Sequence, residues 1–113
     1  MNDLTGTSEV DLNTLEWHDG TLDDVCIKGN GEVTVACHVY PTNDARVREK
    51  LAIRCVGVQS FMGTIDFNAL LRNKFAGNIN DGRFESPRRG IAVLKLFLSD
   101  GYIEVTAKKI VID

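Results

Sequence analysis

From Thr21 onward, apolar and polar residues alternate along most of the chain, a two-residue period that marks strands with one buried face. The stretch DVCIKGNGEVTVACHVY, residues 24–40, contains Asn30-Gly31, a common two-residue hairpin turn. That turn would set Lys28 opposite Val33 and Ile27 opposite Thr34. A three-residue loop over Gly29, Asn30 and Gly31 instead sets Lys28 against Glu32, Ile27 against Val33 and Val25 against Val35. Opposite charges then meet at the mouth and the aliphatics share one face, so this register is the expectation, with Gly31 in the left-handed conformation. It puts Cys37 on the apolar face and Cys26 on the other, beside Thr34.

After the polar connection PTNDARVREK, Leu51, Ile53 and Cys55 alternate with Ala52 and Arg54 and predict a third strand from Lys50 to Val58, with Gly57 marking a bulge or bend. The period then changes. In IDFNALLRNKFAG, Phe67, Leu70, Leu71 and Phe75 share one helical face, Asp66 is a suitable N-cap and Gly77 a suitable C′ residue. One short helix over 67–76 is expected, packed on the sheet. Ile79 to Glu85 reads as a short, polar edge strand. The segment GIAVLKLFLSDGYIEVTAKK reads as a hairpin around a type I′ turn at Asp100-Gly101, with Leu98 opposite Ile103, Leu96 opposite Val105 and Leu94 opposite Ala107. Ile110 and Ile112 have the wrong parity for that core face. Either a bulge near Lys108-Lys109 turns them inward, or they form a second apolar surface suited to a dimer.

These elements predict an α+β, mainly β fold: a meander-like antiparallel sheet of five or six strands with one short helix packed on it. Residues 1–12 are polar and acidic and read as a flexible N-terminal arm; 13–113 form a single β-rich domain. A chain of 113 residues is one domain's length and supports one core.

Charge and composition narrow the function classes. A net charge of −3 weighs against nucleic acid, which calls for a basic face. Three arginines in RFESPRRG, at Arg83, Arg88 and Arg89, are the local exception and read as a solvated loop. No apolar run approaches the roughly 20 residues needed to cross a bilayer, and the N-terminus lacks the basic and apolar segments of a secretory signal, so a cytoplasmic location is expected. Cys26, Cys37 and Cys55 form no C-x-x-C pair and are expected to be buried free thiols; no metal or other cofactor is expected.

The densest cluster of chemistry is LEWHDGTL, with Trp17, His18 and Asp19 in a row. A catalytic His18 would need an orienting carboxylate, and a sequence neighbour seldom supplies one. Asp19-Gly20 reads more simply as a turn that reverses the chain, with Trp17 capping the end of the core. A partly exposed Trp17 would serve instead as a binding anchor. His38 and Tyr40 share a strand face that could line a groove, while alternation points Cys37 away from His38. Asp23 and Asp24 fall on opposite faces of one strand and do not make a local acid pair. No catalytic residue and no phosphate-binding glycine motif is identified.

The run Trp17-His18-Asp19-Gly20-Thr21-Leu22 ahead of a strand, Val56-Gly57-Val58, and the late LFLSDGYIEV hairpin together resemble small bacterial β-rich domains that start with an aromatic residue, His-Asp and a small residue. Some of these are labelled immunity proteins of toxin systems. The likeness covers residues 15–58 and 92–107, and what it implies is binding, not catalysis.

Three functions follow as expectations. The first is a non-enzymatic module that occludes a protein partner, immunity-fashion, through Trp17, His18, Asp19, Asp23 and Asp24. The second is a small-molecule-binding protein or enzyme with a pocket between helix and sheet, lined by His18, His38 and Tyr40. The third is a homodimer through a sheet edge or through Ile110 and Ile112.

Overall fold

A computed structural model describes residues 2–3, 12–65 and 78–112. The described chain contains a two-residue strand β1 (Asn2–Asp3), a single 3-10 turn (Leu12–Thr14), and six long strands. These are β2 (Glu16–Ile27), β3 (Val33–Tyr40), β4 (Glu49–Ile65), β5 (Asn78–Arg88), β6 (Ile91–Leu98) and β7 (Gly101–Ile112). All pairings are antiparallel. The order β7-β4-β3-β2-β5-β6 returns to β7 through the β6–β7 pair, so two three-stranded meanders close on each other as a barrel. Closure leaves no long unprotected edge at β7, where an open meander would end. The fold is mainly β. The helix expected over 67–76 lies outside the described residues, as does most of the arm expected over 1–12. At the two ends of that arm, Asn2–Asp3 pair with Val111 and Ile112 on β7, and Leu12 is fully buried.

The long strands β4 and β7 belong to both halves of the barrel. Residues 53–56 of β4 pair with 109–112 of β7, and residues 58–65 with 101–107. Between the two runs Gly57 takes a φ of 66°, and the register shifts between Val58 and Ser60. A Cβ at Gly57 would stand 2.9 Å from Cδ of Lys108, so a glycine is needed for both conformation and space. Across the bend Lys108 and Lys109 are both exposed while Ala107 and Ile110 are both fully buried. The parity change near Lys108-Lys109 therefore turns Ile110 inward, and Ile110 is unavailable for the dimer surface considered above. Bends of this kind are how strands pass from one packed sheet to the other.

The core lies between the two halves. Val33, Val35, Cys37, Val39, Ile53, Cys55 and Ile110 face Ile79, Leu94, Leu96, Ile103, Val105 and Ala107. Among the described residues no polar side chain is buried, so the interior is apolar throughout that part of the chain. Burial raises the thiols of Cys37 and Cys55 to about 12, and for Cys37 the charge of Asp23 adds to the effect. Cys26 is exposed, because the regular alternation of its strand puts it on the outer face.

The first hairpin has the three-residue loop: Ile27 pairs with Val33 and Val25 with Val35, the Lys28 amide donates to the Glu32 carbonyl (2.9 Å), and Gly31 has a φ of 86°. Ile27, beside the loop, is nonetheless 65% exposed although its partner Val33 is buried, since β5 pairs with β2 only at Gly20 and Thr21 and leaves this end of β2 without a neighbour on that side. The last hairpin differs from expectation. Its two-residue loop is Ser99-Asp100, with Leu98 paired to Gly101, Leu96 to Ile103 and Leu94 to Val105. Neither loop residue has a positive φ, so the turn is not type I′. The observed register keeps the same inward face but sets Lys95 opposite Glu104 and Phe97 opposite Tyr102, and the two rings pack at 5.0 Å, an aromatic pair that the Asp-Gly register forgoes. The Ser99 amide donates to the Asn78 carbonyl (2.9 Å), which ties the turn to β5. β5 itself is no edge: it pairs with β6 along its length and with β2 at Gly20 and Thr21. Where β2 leaves it, the Asn13 amide takes over, donating to the Phe84 carbonyl (2.8 Å) and accepting from the Phe84 amide (2.9 Å).

Two outcomes are expected. Gly57→Ala lowers stability by about 1–3 kcal/mol, from strain at positive φ and the clash with Lys108, whereas Gly29→Ala, with open space and no positive φ, changes it by less than about 0.5 kcal/mol; urea unfolding midpoints compare them. At pH 8 a thiol reagent titrates Cys26 quickly, and Cys37 and Cys55 only after unfolding. Because the folded thiols sit above the unfolded value of 9.0, the unfolded chain loses these protons first, and the stability they contribute falls as pH rises from about 9 to about 12.

Candidate functional site

With an apolar interior, the polar chemistry lies on the outer face of β2 and β3, where two bulges in β2 arrange it. In the first, Glu16 pairs with Tyr40 but Thr21 pairs with His38, so Trp17, His18, Asp19 and Gly20 form an excursion. The chain does not reverse at Asp19-Gly20; β2 runs on through it. Gly20 is required because a Cβ there would lie 3.0 Å from the carbonyl oxygens of both His38 and Trp17. Asp19 holds a φ of 66°, uncommon for a residue with a side chain.

This excursion sends Trp17 inward. It is 3% exposed, its indole N–H donates to the Leu12 carbonyl (2.7 Å), and its ring lies on Gly82, where a Cβ would stand 2.4 Å from the ring carbon Cδ2. The expected partly exposed anchor is thus a core residue. A large ring with one polar edge finds burial and a hydrogen-bond acceptor here, and the glycine opposite supplies the space. His18 and Asp19 stay outside, with His18 Nε2 3.8 Å from Asp19 Oδ2, and Glu16 Oε1 accepts from the His18 amide (3.2 Å).

The second bulge falls at Asp23: Leu22 pairs with Cys37 and Asp24 with Ala36, leaving Asp23 extra. Both Asp23 and Asp24 are exposed, so the simple alternation that put them on opposite faces does not hold. Asp23 Oδ2 lies 2.5 Å from His38 Nδ1, and Thr21 Oγ1 donates to Asp23 Oδ1 (3.2 Å). The pair is open to water, at 43% and 35% side-chain exposure. His38 and Tyr40, expected on one strand face, are joined by Arg48, whose guanidinium carbon is 5.3 Å from the Tyr40 ring centroid and whose Nε–H donates to the Asp19 carbonyl (2.8 Å). The site thus unites Asp19, Thr21, Asp23, His38, Tyr40 and Arg48, and leaves out Trp17. Among the described residues no cluster of three or more His, Cys, Asp or Glu could hold a metal ion.

Sequence reading missed the Asp23–His38 pair, because alternation alone does not reveal a bulge. It also missed Arg48, which lies in a connection without a pattern. The connection is itself folded: Thr42 Oγ1 donates to Asp44 Oδ1 (2.6 Å) and the Ala45 amide to the Thr42 carbonyl (3.2 Å). A second outer surface carries Arg83 together with side chains not singled out in the sequence. Phe97 and Tyr102 pack at 5.0 Å between ring centroids, with Arg83 5.9 Å from the Phe97 centroid and Met62 52% exposed. Tyr102 donates to Glu104 Oε1 (2.6 Å), and that bond holds its hydroxyl proton up to about 12. Arg83 is paired with Asp81 (3.2 Å), so it is not part of an open basic patch.

No protein-family model, curated protein or solved structure matches the chain.

An exposed ion pair contributes about 0–1 kcal/mol, so the Asp23–His38 bond is not what holds the barrel together. Asp23→Ala and His38→Ala are each expected to shift folding stability by less than about 1 kcal/mol in urea unfolding, with the β3 amide resonances beyond His38 little changed.

Proposed function

We propose that the chain is a binding module that occludes a basic protein partner with the outer face of β2 and β3, in the manner of an immunity protein. The observation that carries this reading is charge placement. β2 bears Glu16, Asp19, Asp23 and Asp24 and no Lys or Arg, and its bulges leave Asp19, Asp23 and Asp24 exposed together with His18. The polar groups lie on an open face of a barrel filled with apolar side chains, an arrangement suited to surface recognition more than to enclosing a substrate. In water one acid attracts a cation 10 Å away by about 0.4 kcal/mol, so several together act mainly on the speed and salt dependence of encounter. His18, Asp19, Asp23 and Asp24 are the contact residues in this reading; Trp17 supports them from beneath by fixing the bulge.

The test is affinity capture from the cells that make the protein, comparing the wild-type chain with the triple variant Asp19→Asn, Asp23→Asn, Asp24→Asn. A basic protein recovered by the wild type at about 50 mM salt, and lost both with the variant and at about 0.5 M salt, is the expected result. Identical recovery by the two chains would refute the assignment of this face.

A further inference from the structure

We propose that Arg48 forms a carboxylate-binding subsite on this face, shaped to receive an Asp or Glu side chain of the partner. The identity of the occupant as a protein side chain rests on the function proposed above; the anion chemistry does not. Arg48 is held at two points, by the Nε–H bond to the Asp19 carbonyl (2.8 Å) and by its position over the Tyr40 ring (5.3 Å). A surface arginine ordinarily gives up rotamer freedom when it binds, and one already held loses less. The Asp19 carbonyl that holds it belongs to a residue at a φ of 66°, and backbone conformations of this sparsely populated kind gather at binding sites.

Among the described residues the two Nη groups of Arg48 have no hydrogen-bond partner, and the acids nearby in β2 have other engagements. Glu16 accepts from the His18 amide, Asp19 faces the His18 ring, and Asp23 is shared between Thr21 and His38. The ligand must therefore bring its own acceptor. The Nη edge offers parallel N–H groups, which a planar two-oxygen acceptor matches. Charge selects among anions. The acids of β2 disfavour a phosphate dianion more than a monoanion, while Arg46 and Lys50, exposed on either side of Arg48, favour an anion over a neutral amide. Arg48 thus stands at the border between an acidic strand and the stretch Arg46–Lys50, in which three basic residues outnumber one acid, Glu49. A partner that presents a carboxylate beside basic residues complements both.

The test uses sodium acetate as the probe and nitrogen-15 spectra of the full chain at constant ionic strength. The reporters are the Arg48 Nε–H resonance, assigned by its loss in Arg48→Lys, and the Gly20 amide, whose peptide group carries the Asp19 carbonyl. Acetate is expected to shift both along a saturating curve, with chloride producing no such shift and phosphate a weaker one. Arg48→Lys, which keeps the charge but not the fork, is expected to weaken the Gly20 response by about tenfold. Tyr40→Leu is expected to weaken it by about threefold. An equal response to chloride, tighter binding of phosphate, or an unchanged Gly20 curve in Arg48→Lys would each overturn the proposal. The acetate response does not involve the partner, so its failure alongside a successful capture rejects the subsite alone, and the reverse outcome rejects the partner reading alone.

Discussion

The antiparallel ribbon of β4 and β7 is the constraint on which the rest of the structure depends. Its two strands serve both halves of the barrel, and they can do so because Gly57 permits a bend that no other residue would adopt without strain. On one side of the bend Ile53 and Cys55 meet Ile112 and Ile110; on the other, Phe61 and Gly63 meet Val105 and Ile103. The same bend leaves Lys108 and Lys109 both outside, and so restores the inward direction of Ile110. Without it the last residues of β7 would present their aliphatic side chains to water. With it one apolar core is shared by two meanders.

The core takes up the inward faces of six strands, which leaves polar chemistry to the outside, where only departures from regular pairing can bring unlike residues together. The two bulges in β2 are such departures. The first puts Trp17 into the core against Gly82 and turns His18 and Asp19 outward; the second delivers Asp23 to His38. The function proposed for this molecule thus rests on interrupted strands. The proposed partner face and the proposed carboxylate subsite both draw on the excursion at residues 17–20, which supplies Asp19 and the carbonyl that steadies Arg48, while the second bulge supplies Asp23.

Much of the fold was legible in the sequence because two-residue alternation reports the inward face directly. The first hairpin was recovered down to its loop length, since the Lys28–Glu32 and Ile27–Val33 pairings and the glycine at 31 agree. The last hairpin kept its face but not its partners. The Asp100-Gly101 dipeptide suggested a type I′ turn, whereas the observed register gains the Phe97–Tyr102 ring contact and the Ser99–Asn78 bond. The third strand was expected to stop at Val58, yet β4 continues to Ile65 because β7 is long enough to pair with it. The site was far less legible. His38, Tyr40, Asp19 and Asp23 were singled out as residues, but their grouping depends on a bulge at Asp23 and on an arginine twenty-nine positions from the carbonyl it bonds. Trp17 carried two readings, a cap on the core and a partly exposed anchor; its burial fits the first, and Gly82, a glycine from a distant strand, provides its seat.

The most direct measurement of the central claim is the set of nuclear Overhauser contacts between β4 and β7 on both sides of Gly57. The bent ribbon requires cross-strand contacts between Cys55 and Ile110 and between Gly63 and Ile103 in the same molecule, with the Ile110 methyl groups also touching core side chains of β3. Contacts that stop at Gly57, or an Ile110 side chain in water, would contradict a barrel built on one shared ribbon.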